Sequence, residues 1–130
     1  MSMKPATHLA ISPLLVGEPM EIGPGTAAAR LATRREMCAD DRGLVHGGFT
    51  FGLADYAAML AVNDAHVVLG GAETKFLAPV RCGDVLIARA EVREERGKKR
   101  LVECRVFVGK RPVFEGLFTC FVLGGHVLDQ

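Results

Sequence analysis

The stretch Gly43–Val62 reads GLVHGGFTFGLADYAAMLAV, and its composition decides the fold of the chain. From Gly48 to about Asn63 it is rich in Ala, Leu, Met and Phe and contains no proline, which predicts a helix of four turns. Because this helix is apolar on almost every side, we expect the rest of the chain to bury it. A single carboxylate, Asp55, lies in its middle. An unpaired buried carboxylate is costly, so Asp55 should have either a partner or a function.

After the helix, apolar residues alternate with polar ones, which is typical of strands with one face in a core. This pattern covers 84–94 and 101–108, and a last strand covers 113–123. Turn signals separate the runs at Gly70-Gly71, 78–84, 96–99 and 109–112. The earlier segment 26–37, TAAARLATRREM, fits either an Ala-rich helix or a first long strand. A first strand, a buried helix and four strands with short connections predict an antiparallel α+β fold, with one sheet wrapped around one long central helix.

Length and charge limit what the chain does. It has 130 residues, of which 49% are apolar, so we expect one domain spanning residues 1–130. Sixteen Lys and Arg against fifteen Asp and Glu give a net charge of +1, which provides no global field for nucleic acid or a membrane surface. We therefore expect neither as a partner. The apolar run 49–62 is too short, with Asp55 inside it, to span a bilayer.

The four cysteines, Cys38, Cys82, Cys104 and Cys120, are far apart in the sequence. They form no C-x-x-C motif, and no His pair has metal-ligand spacing, which argues against a zinc site and a redox dithiol. The first residues carry no clean signal-peptide pattern. We therefore expect a reduced, cytoplasmic protein without a metal or other cofactor.

The tripeptide HGG, residues 46–48, stands at the predicted start of the helix. Glycines there leave the first backbone N–H groups open to a ligand, and the helix dipole favours negative charge at that end. This is the geometry of an oxyanion hole, whose donors are worth roughly 2.7–4 kcal/mol each. The alternative is that both glycines only allow a tight turn into the helix.

The spacing between Asp55 and the HGG amides restricts how they can act together. Asp55 lies eight residues after Gly47, which corresponds to about 12 Å along a helix axis. Both features of one helix cannot touch the same carbonyl group. If they cooperate, a second subunit supplies one of them, with two helices antiparallel across a twofold axis. The alternative for Asp55 is a structural carboxylate bonded to nearby backbone or to Tyr56 of a neighbouring subunit.

Three segments carry a resemblance to a known family: DRGLVHGGFTFGLADYAAMLA at 41–61, ETKFLAPVRCGD at 73–84 and ERGKKRLVECRVFV at 95–108. Together they resemble the hotdog-fold thioesterases, specifically the PaaI-like acyl-CoA thioesterase group, over roughly residues 15–123. The resemblance implies a hotdog fold, hydrolysis of an acyl-CoA substrate, and a homodimer or homotetramer with sites across the dimer interface.

Position by position, the resemblance implies the following roles. Asp55 is the catalytic carboxylate, as a general base acting on water or as a nucleophile. Gly47, with Gly48 beside it, polarises the thioester carbonyl through backbone N–H groups. His46 shapes the site next to that donor, or only caps the helix structurally. Asp40 replaces an Asn that is common in the family, and it either forms a carboxylate pair with Asp55 or is solvated.

The substrate-binding candidates fall into a basic and an apolar group. Nine basic and four acidic residues lie within 89–111, and phosphates of coenzyme A could bind at such a rim, although a solvated hairpin explains the charge equally well. The basic candidates are Lys98, Lys99, Arg100, Lys110 and Arg111. The candidates for lining the acyl pocket are Phe49, Leu53 and Phe76. The accessory hydroxyl of several family members is missing around Met59 and around Leu69-Gly70.

Two other functions remain open in the sequence. Loss of the accessory hydroxyl fits a catalytically weak module that binds or senses acyl-CoA or an acyl carrier. Asp41 and His46 have the D-x-x-x-x-H spacing of a hotdog hydratase or dehydratase, but this function would leave Asp55 without a role. Retention of Asp55 beside HGG favours the thioesterase.

Overall fold

The computed structural model describes residues 2–130. The strands and the helix follow one another as β1 (Glu18–Gly23), β2 (Thr26–Ala32), α1 (Gly47–Val62), β3 (Val67–Phe76), β4 (Val85–Arg96), β5 (Lys99–Val108) and β6 (Arg111–Val122). Short 3₁₀ turns occupy Arg35–Met37 and Val127–Asp129. The six strands form one antiparallel sheet in the order β1-β2-β4-β5-β6-β3, which leaves β1 and β3 as its edges.

The sheet wraps around α1, and this confirms the predicted α+β architecture. Helix α1 begins one residue before the predicted start, and Leu53, Ala54 and Leu60 are among its fully buried side chains. The predicted alternation in β4 and β5 is also confirmed, because Leu86 and Ala88 face the core together with Val102, Cys104 and Val106. The contact between the helix and the inner face of the sheet is therefore the core of the fold.

The region before α1 contains two strands rather than one. Gly25, with φ of 71°, turns the chain between β1 and β2, and the two strands pair as a hairpin. The ambiguous segment 26–37 is the strand β2 followed by the short 3₁₀ turn. Ala27, Ala28 and Ala29 are all buried, so small residues serve here to let the strand approach its neighbours and not to build a helix.

The prediction of a turn at Gly70-Gly71 is wrong, because both residues lie inside β3. Leu69 pairs with Cys120 and Gly71 with Thr119, so Gly70 is the extra residue of a β-bulge. A Cβ atom on Gly70 would collide with the ring of Phe121. Glycine is needed at this position because an aromatic ring occupies the space of a side chain.

Asn63 ends α1 and also fixes the N-terminal segment to it. Its backbone adopts the left-handed conformation, with φ of 50°, and its N–H donates to the Met59 carbonyl at 2.7 Å. Its side-chain oxygen accepts from the Ala6 N–H at 2.7 Å, and its side-chain nitrogen donates to the Lys4 carbonyl at 3.0 Å. One residue therefore combines a helix cap with two long-range hydrogen bonds.

Substitution of Asn63 should separate these two contributions. Asn63→Gly removes both side-chain bonds, which are solvent-accessible and worth about 0.5–1.5 kcal/mol each, but keeps the left-handed cap. Asn63→Ala should cost a further 1 kcal/mol or so, because a Cβ disfavours this conformation. Urea unfolding at one fixed protein concentration measures both. Equal stability of the two variants would show that the backbone conformation of Asn63 contributes nothing.

Candidate functional site

The first turn of α1 leaves its backbone donors open. His46 is the N-cap residue, but its side chain makes no capping hydrogen bond, and the first turn contains no acidic residue. The Phe49 N–H turns back to the His46 carbonyl at 3.1 Å. Within the described chain, no acceptor bonds to the N–H of Gly47 or of Gly48. The positive end of the helix dipole and two free donors therefore face the same side.

Two aromatic rings explain why both residues are glycine. A Cβ atom on Gly47 would lie 2.9 Å from the ring of Phe76, and one on Gly48 would lie 2.8 Å from Nε2 of His46. The His46 ring also meets the ring of Phe49 edge-on, at 6.2 Å between centroids. The glycines thus make room for rings that border the free amides, and they are more than a means of entering the helix.

A cavity of about 370 Å³ opens beside these amides. Its lining is mainly apolar and includes Gly47, Phe76 and Leu77, with the 78–80 segment on the other side. Phe76 is 57% exposed even though its ring packs on Gly47, so it stands at the mouth of the cavity. An apolar group attached to a carbonyl would fit here, with the carbonyl oxygen near the amides.

Asp55 is the buried polar group without a partner. Its Oδ1 atom is buried and makes no hydrogen bond with any described residue. Burial alone raises the pKa of Asp55 from 3.8 to about 6. The alternative of a carboxylate bonded to its own backbone is therefore wrong for this oxygen. The negative charge of Asp55 also reaches two thiols of the sheet, because it contributes to the raised pKa of Cys104 and of Cys120.

Asp55 lies on the one stripe of α1 that the sheet does not cover. Gly48, Gly52 and Asp55 are all partly exposed, and their spacing of four and three residues puts them on one helix face. A Cβ atom on Gly52 would find no other atom within 4 Å. The 47–62 helix is continuous, so about 12 Å of axis separates Gly47 from Asp55, as the sequence predicted.

The structure does not support a pair between Asp40 and Asp55. Asp40 is exposed, and its Oδ1 accepts the backbone N–H groups of Arg42 (2.9 Å) and Leu44 (3.1 Å). Burial is the sole cause of the raised pKa of Asp55, with no contribution from another carboxylate. Within one chain, Asp40 therefore shapes the loop before α1. Asp41 and His46 are likewise both exposed, and no hydrogen bond joins them.

The apolar candidates divide between the cavity and the core. Phe76 lines the cavity, and Phe49 is half-buried against His46 at its edge. Leu53 does not line this cavity in the single chain, because it is 0% exposed and its Cδ1 packs against Gly17. On a helix buried almost all round, residue type alone does not tell which side faces a ligand.

The basic candidates lie at opposite ends of the sheet. Lys98, Lys99 and Arg100 are at the β4–β5 turn, near the end of α1, whereas Lys110 and Arg111 are at the β5–β6 turn, near its start. The length of β5, about 30 Å, separates the two groups. Arg100 bonds to Glu95 and Arg111 donates to the Pro79 carbonyl, so neither guanidinium is free of protein partners. One chain alone therefore does not place all five around one cavity.

Sequence reasoning missed Thr50. This residue is 2% exposed, lies one helical turn after Gly47 and lines the cavity with it. Thr50 thus places a hydroxyl at the cavity, although the sequence has none around Met59 or Leu69-Gly70. The interval of three residues between Gly47 and Thr50, which shares a helix face, is the signal that could have found it.

A larger depression, about 700 Å³, lies on the outer face of the sheet, away from these groups. Two of its three arginines are already paired, since Arg89 bonds to Glu21 while Arg93 bonds to Glu91 and Glu103. It offers neither free amides nor an unpaired carboxylate, so the cavity at α1 is the better candidate. No group of metal-ligating side chains occurs in residues 2–130, and no helix of that range is long and apolar enough to cross a membrane.

Comparison with known families supplies the decisive observation: the model of the thioesterase superfamily matches residues 42–115, which contain both HGG and Asp55. The chain belongs to the thioesterase superfamily. A crystal structure of an uncharacterized Pyrococcus horikoshii protein is 53% identical and has a TM-score of 0.98, covering 99% of each chain. The phenylacetic acid degradation protein PaaI of Thermus thermophilus, as a mutant, is 26% identical with a TM-score of 0.77, covering 84% of this chain and 95% of that one. The hotdog fold and the PaaI-like resemblance are thereby confirmed.

The curated relatives are longer proteins. Methylthioribose-1-phosphate isomerase of Aquifex aeolicus is 52% identical over 118 residues, which are 90% of this chain and 26% of that protein. Transcription factor FapR of a Thermoanaerobacter species is 35% identical over 87 residues, 67% of this chain and 44% of that protein. The thioesterase-superfamily chain thus spans less than half the length of these two curated relatives.

The unpaired carboxylate predicts a pH-dependent stability. Burial favours the acid form of Asp55 in the folded state. The contribution of this form to the free energy of unfolding is fully present below pH 3.8 and is lost as the pH rises through about 6. The loss corresponds to roughly 3 kcal/mol at most. Asp55→Asn resembles the acid form, so it should be more stable than wild type at pH 8, with a difference that shrinks toward pH 4.

Urea unfolding of wild type and Asp55→Asn between pH 8 and about pH 4.5 measures this difference. Asp41→Asn is the matched control, because Asp41 is exposed and its substitution should change stability little at any pH. A destabilised Asp55→Asn at pH 8 would mean that the carboxylate has a favourable partner, and the interpretation would be withdrawn.

Proposed function

We propose that this member of the thioesterase superfamily hydrolyses acyl-CoA thioesters, with Asp55 as the catalytic carboxylate. The observation that carries the proposal is the buried Oδ1 of Asp55, which has no hydrogen-bond partner and lies on the uncovered face of α1. A fold does not retain such a group for stability, since it costs free energy at neutral pH. Its placement is explained if it acts on a substrate.

The free amides at the helix start supply the second half of the chemistry. The thioester oxygen accepts from the N–H groups of Gly47 and Gly48, which stabilise the negative charge that develops on it. Asp55 either removes a proton from a water molecule that attacks the carbonyl carbon, or attacks that carbon itself. In both cases the tetrahedral intermediate collapses by cleavage of the C–S bond, and the thiol of coenzyme A leaves. A pKa of about 6 keeps Asp55 ionised at neutral pH.

The site is shared between two copies of the chain. Gly47 and Asp55 of one helix are about 12 Å apart, too far to touch one carbonyl group. An antiparallel arrangement of two α1 helices brings Asp55 of one copy to the start of the other. The open space at Gly52 leaves room for this approach, and β3 is an unpaired edge of the sheet that can meet its copy. We therefore expect a homodimer, or a homotetramer built from two such dimers.

In the same arrangement, each part of the acyl-CoA substrate has its own binding region. The acyl group enters the cavity that Phe76 borders, and Thr50 offers a hydroxyl within it. Because the helices are antiparallel, the β4–β5 turn of one copy lies toward the helix start of the other. Lys98 and Lys99 on that turn are then placed to bind the phosphates of coenzyme A, while Arg100, which bonds to Glu95 and to the Gly97 carbonyl, holds the turn in place.

Substitution of Asp55 should abolish hydrolysis without loss of assembly. Asp55→Asn and Asp55→Ala should each lower kcat/KM by about 10²- to 10⁴-fold, as expected for a lost general base. In wild type, kcat/KM should rise about tenfold per pH unit below pH 6 and level off above it, because the ionised carboxylate is the active form. Release of free thiol from short, aromatic and long acyl-CoA thioesters measures the rates. Full activity in Asp55→Ala would refute the assignment.

Mixing two inactive variants should show that the site is shared. Asp55→Asn lacks the carboxylate, and in Gly47→Val a side chain would displace the ring of Phe76 over the amides. A heterodimer of the two has one intact site and one doubly defective site, so a fully exchanged equimolar mixture should regain about a quarter of wild-type activity. Circular dichroism checks that both variants fold.

A mixture of Asp55→Asn with Asp55→Ala is the matched control, since no intact site forms in it. Mass spectrometry verifies that the subunits have exchanged. If the first mixture is then no more active than this control, either Asp55 and the Gly47 amide act within one subunit or one of them has no role in hydrolysis.

A second candidate is an acyl-CoA or acyl-carrier binding module without efficient turnover. The similarity to relatives that are named transcription factors favours it, since their matched part makes up about half of their length. The Asp55 variants distinguish the two functions. A binding module would release no thiol above the Asp55→Ala background, yet would bind an acyl-CoA in calorimetry.

A further inference from the structure

Two cysteines that are 44 positions apart in the sequence meet in the fold. Cys38 follows the 3₁₀ turn before α1 and pairs with Val45 in an isolated β-bridge. Cys82 lies in the β3–β4 loop, and its N–H donates to the Gly43 carbonyl at 2.8 Å. Both line one surface cavity of about 280 Å³, together with the acidic and basic side chains of the loop that precedes α1.

Gly43 turns the loop that lies between the two cysteines. Its φ of 85° favours glycine, and its position is in van der Waals contact with Cys82, since a Cβ atom there would lie 3.7 Å from Cβ of Cys82. Both thiols border the same cavity, where the Cys38 Sγ donates to the Arg34 carbonyl at 3.8 Å. In agreement with this proximity, the pKa of the Cys38 thiol is raised, chiefly by burial and then by hydrogen bonding and charge interaction with Cys82. Cys82 is exposed and Cys38 is half-buried, so a reagent in solution reaches Cys82 first.

We propose that Cys38 and Cys82 form an intrachain disulfide by exchange with a small-molecule disulfide. The thiolate of Cys82 attacks one sulfur of the reagent, which releases one small thiolate and leaves a mixed disulfide on Cys82. Cys38 then loses its proton and attacks the sulfur of Cys82, which releases the second small thiolate. The two cysteines lose two electrons and two protons in total, and the reagent is reduced to two thiols.

The bond would fasten the segment that positions the start of α1. Two backbone hydrogen bonds of 2.9 Å already hold this segment. The His46 N–H donates to the Met37 carbonyl, and the Val45 N–H donates to the Val80 carbonyl. A covalent link closing a loop of this length restricts the unfolded chain and stabilises the fold. The site does not depend on the proposed hydrolysis, since neither thiol belongs to the cavity beside Gly47.

The other two cysteines serve as internal controls. Cys104 and Cys120 are buried in the sheet, and burial raises the pKa of each thiol to about 12. Thiolate is the reactive form, so both should stay reduced under conditions that oxidise the Cys38–Cys82 pair.

The test is incubation of the reduced, folded protein with oxidised glutathione at about pH 8.5, followed by alkylation, digestion and mass spectrometry. We expect one crosslinked peptide pair containing Cys38 and Cys82, a mass loss of two hydrogens for the intact chain, and alkylated Cys104 and Cys120. The melting temperature should rise by roughly 5–10 °C and return to its reduced value with dithiothreitol. Cys38→Ser should instead retain a glutathionyl group on Cys82, with no gain in melting temperature.

Three results would overturn the proposal. One is a wild-type protein that keeps glutathione on Cys82 as Cys38→Ser does. Another is a bond between Cys82 residues of two chains, visible as a dimer on a non-reducing gel. The third is the absence of any disulfide while a thiol-alkylating reagent still modifies Cys82, which shows that the residue is accessible but that Cys38 does not reach it.

Discussion

The fold depends on the burial of one apolar helix by one sheet, and the proposed chemistry depends on that burial being incomplete. Every side chain of α1 from Tyr56 to Ala61 is buried, and these contacts supply the hydrophobic free energy that holds the strands around it. The stripe that carries Gly48, Gly52 and Asp55 is left open. The sheet ends at its β1 and β3 edges without covering that stripe. In the arrangement that we propose, a second copy covers the open face.

Patterns that repeat along the chain were predictable, and contacts between distant segments were not. The bounds of α1 and the alternation in β4 and β5 follow from local composition and periodicity, which the tertiary structure reinforces. Gly70 was misread because glycine serves equally in a turn and in a bulge, and only the ring of Phe121 on the next strand decides between them. Cys38 and Cys82 belong to irregular loops, where no periodic pattern indicates which residues lie close together. Only the tertiary structure shows that they line the same cavity.

The candidate site was predictable in part for a similar reason. Asp55 stood out because a carboxylate in an apolar helix violates the rule that buried charges are paired, and such violations mark functional positions. Leu53 and Thr50 obey the ordinary pattern of a buried helix, so nothing in the sequence separates the one in the core from the one in the cavity. When a helix is apolar on all sides, residue type does not indicate the direction in which each side chain points, toward the core or toward a cavity. The packing of the helix against the sheet supplies that direction, and it becomes visible only in the folded structure.

The balance between stability and reactivity at Asp55 follows from its surroundings. Water would lower the pKa of the carboxyl group toward 3.8 and make it a weaker base, whereas a basic partner would neutralise it and occupy its oxygen. Burial without a partner avoids both effects and holds the pKa near 6, at a cost in free energy of folding. Deeper burial would raise the pKa of Asp55 and the free-energy cost of folding together, so contacts elsewhere in the fold must offset any further burial. The stability of the rest of the core therefore limits how strongly basic the carboxylate can become.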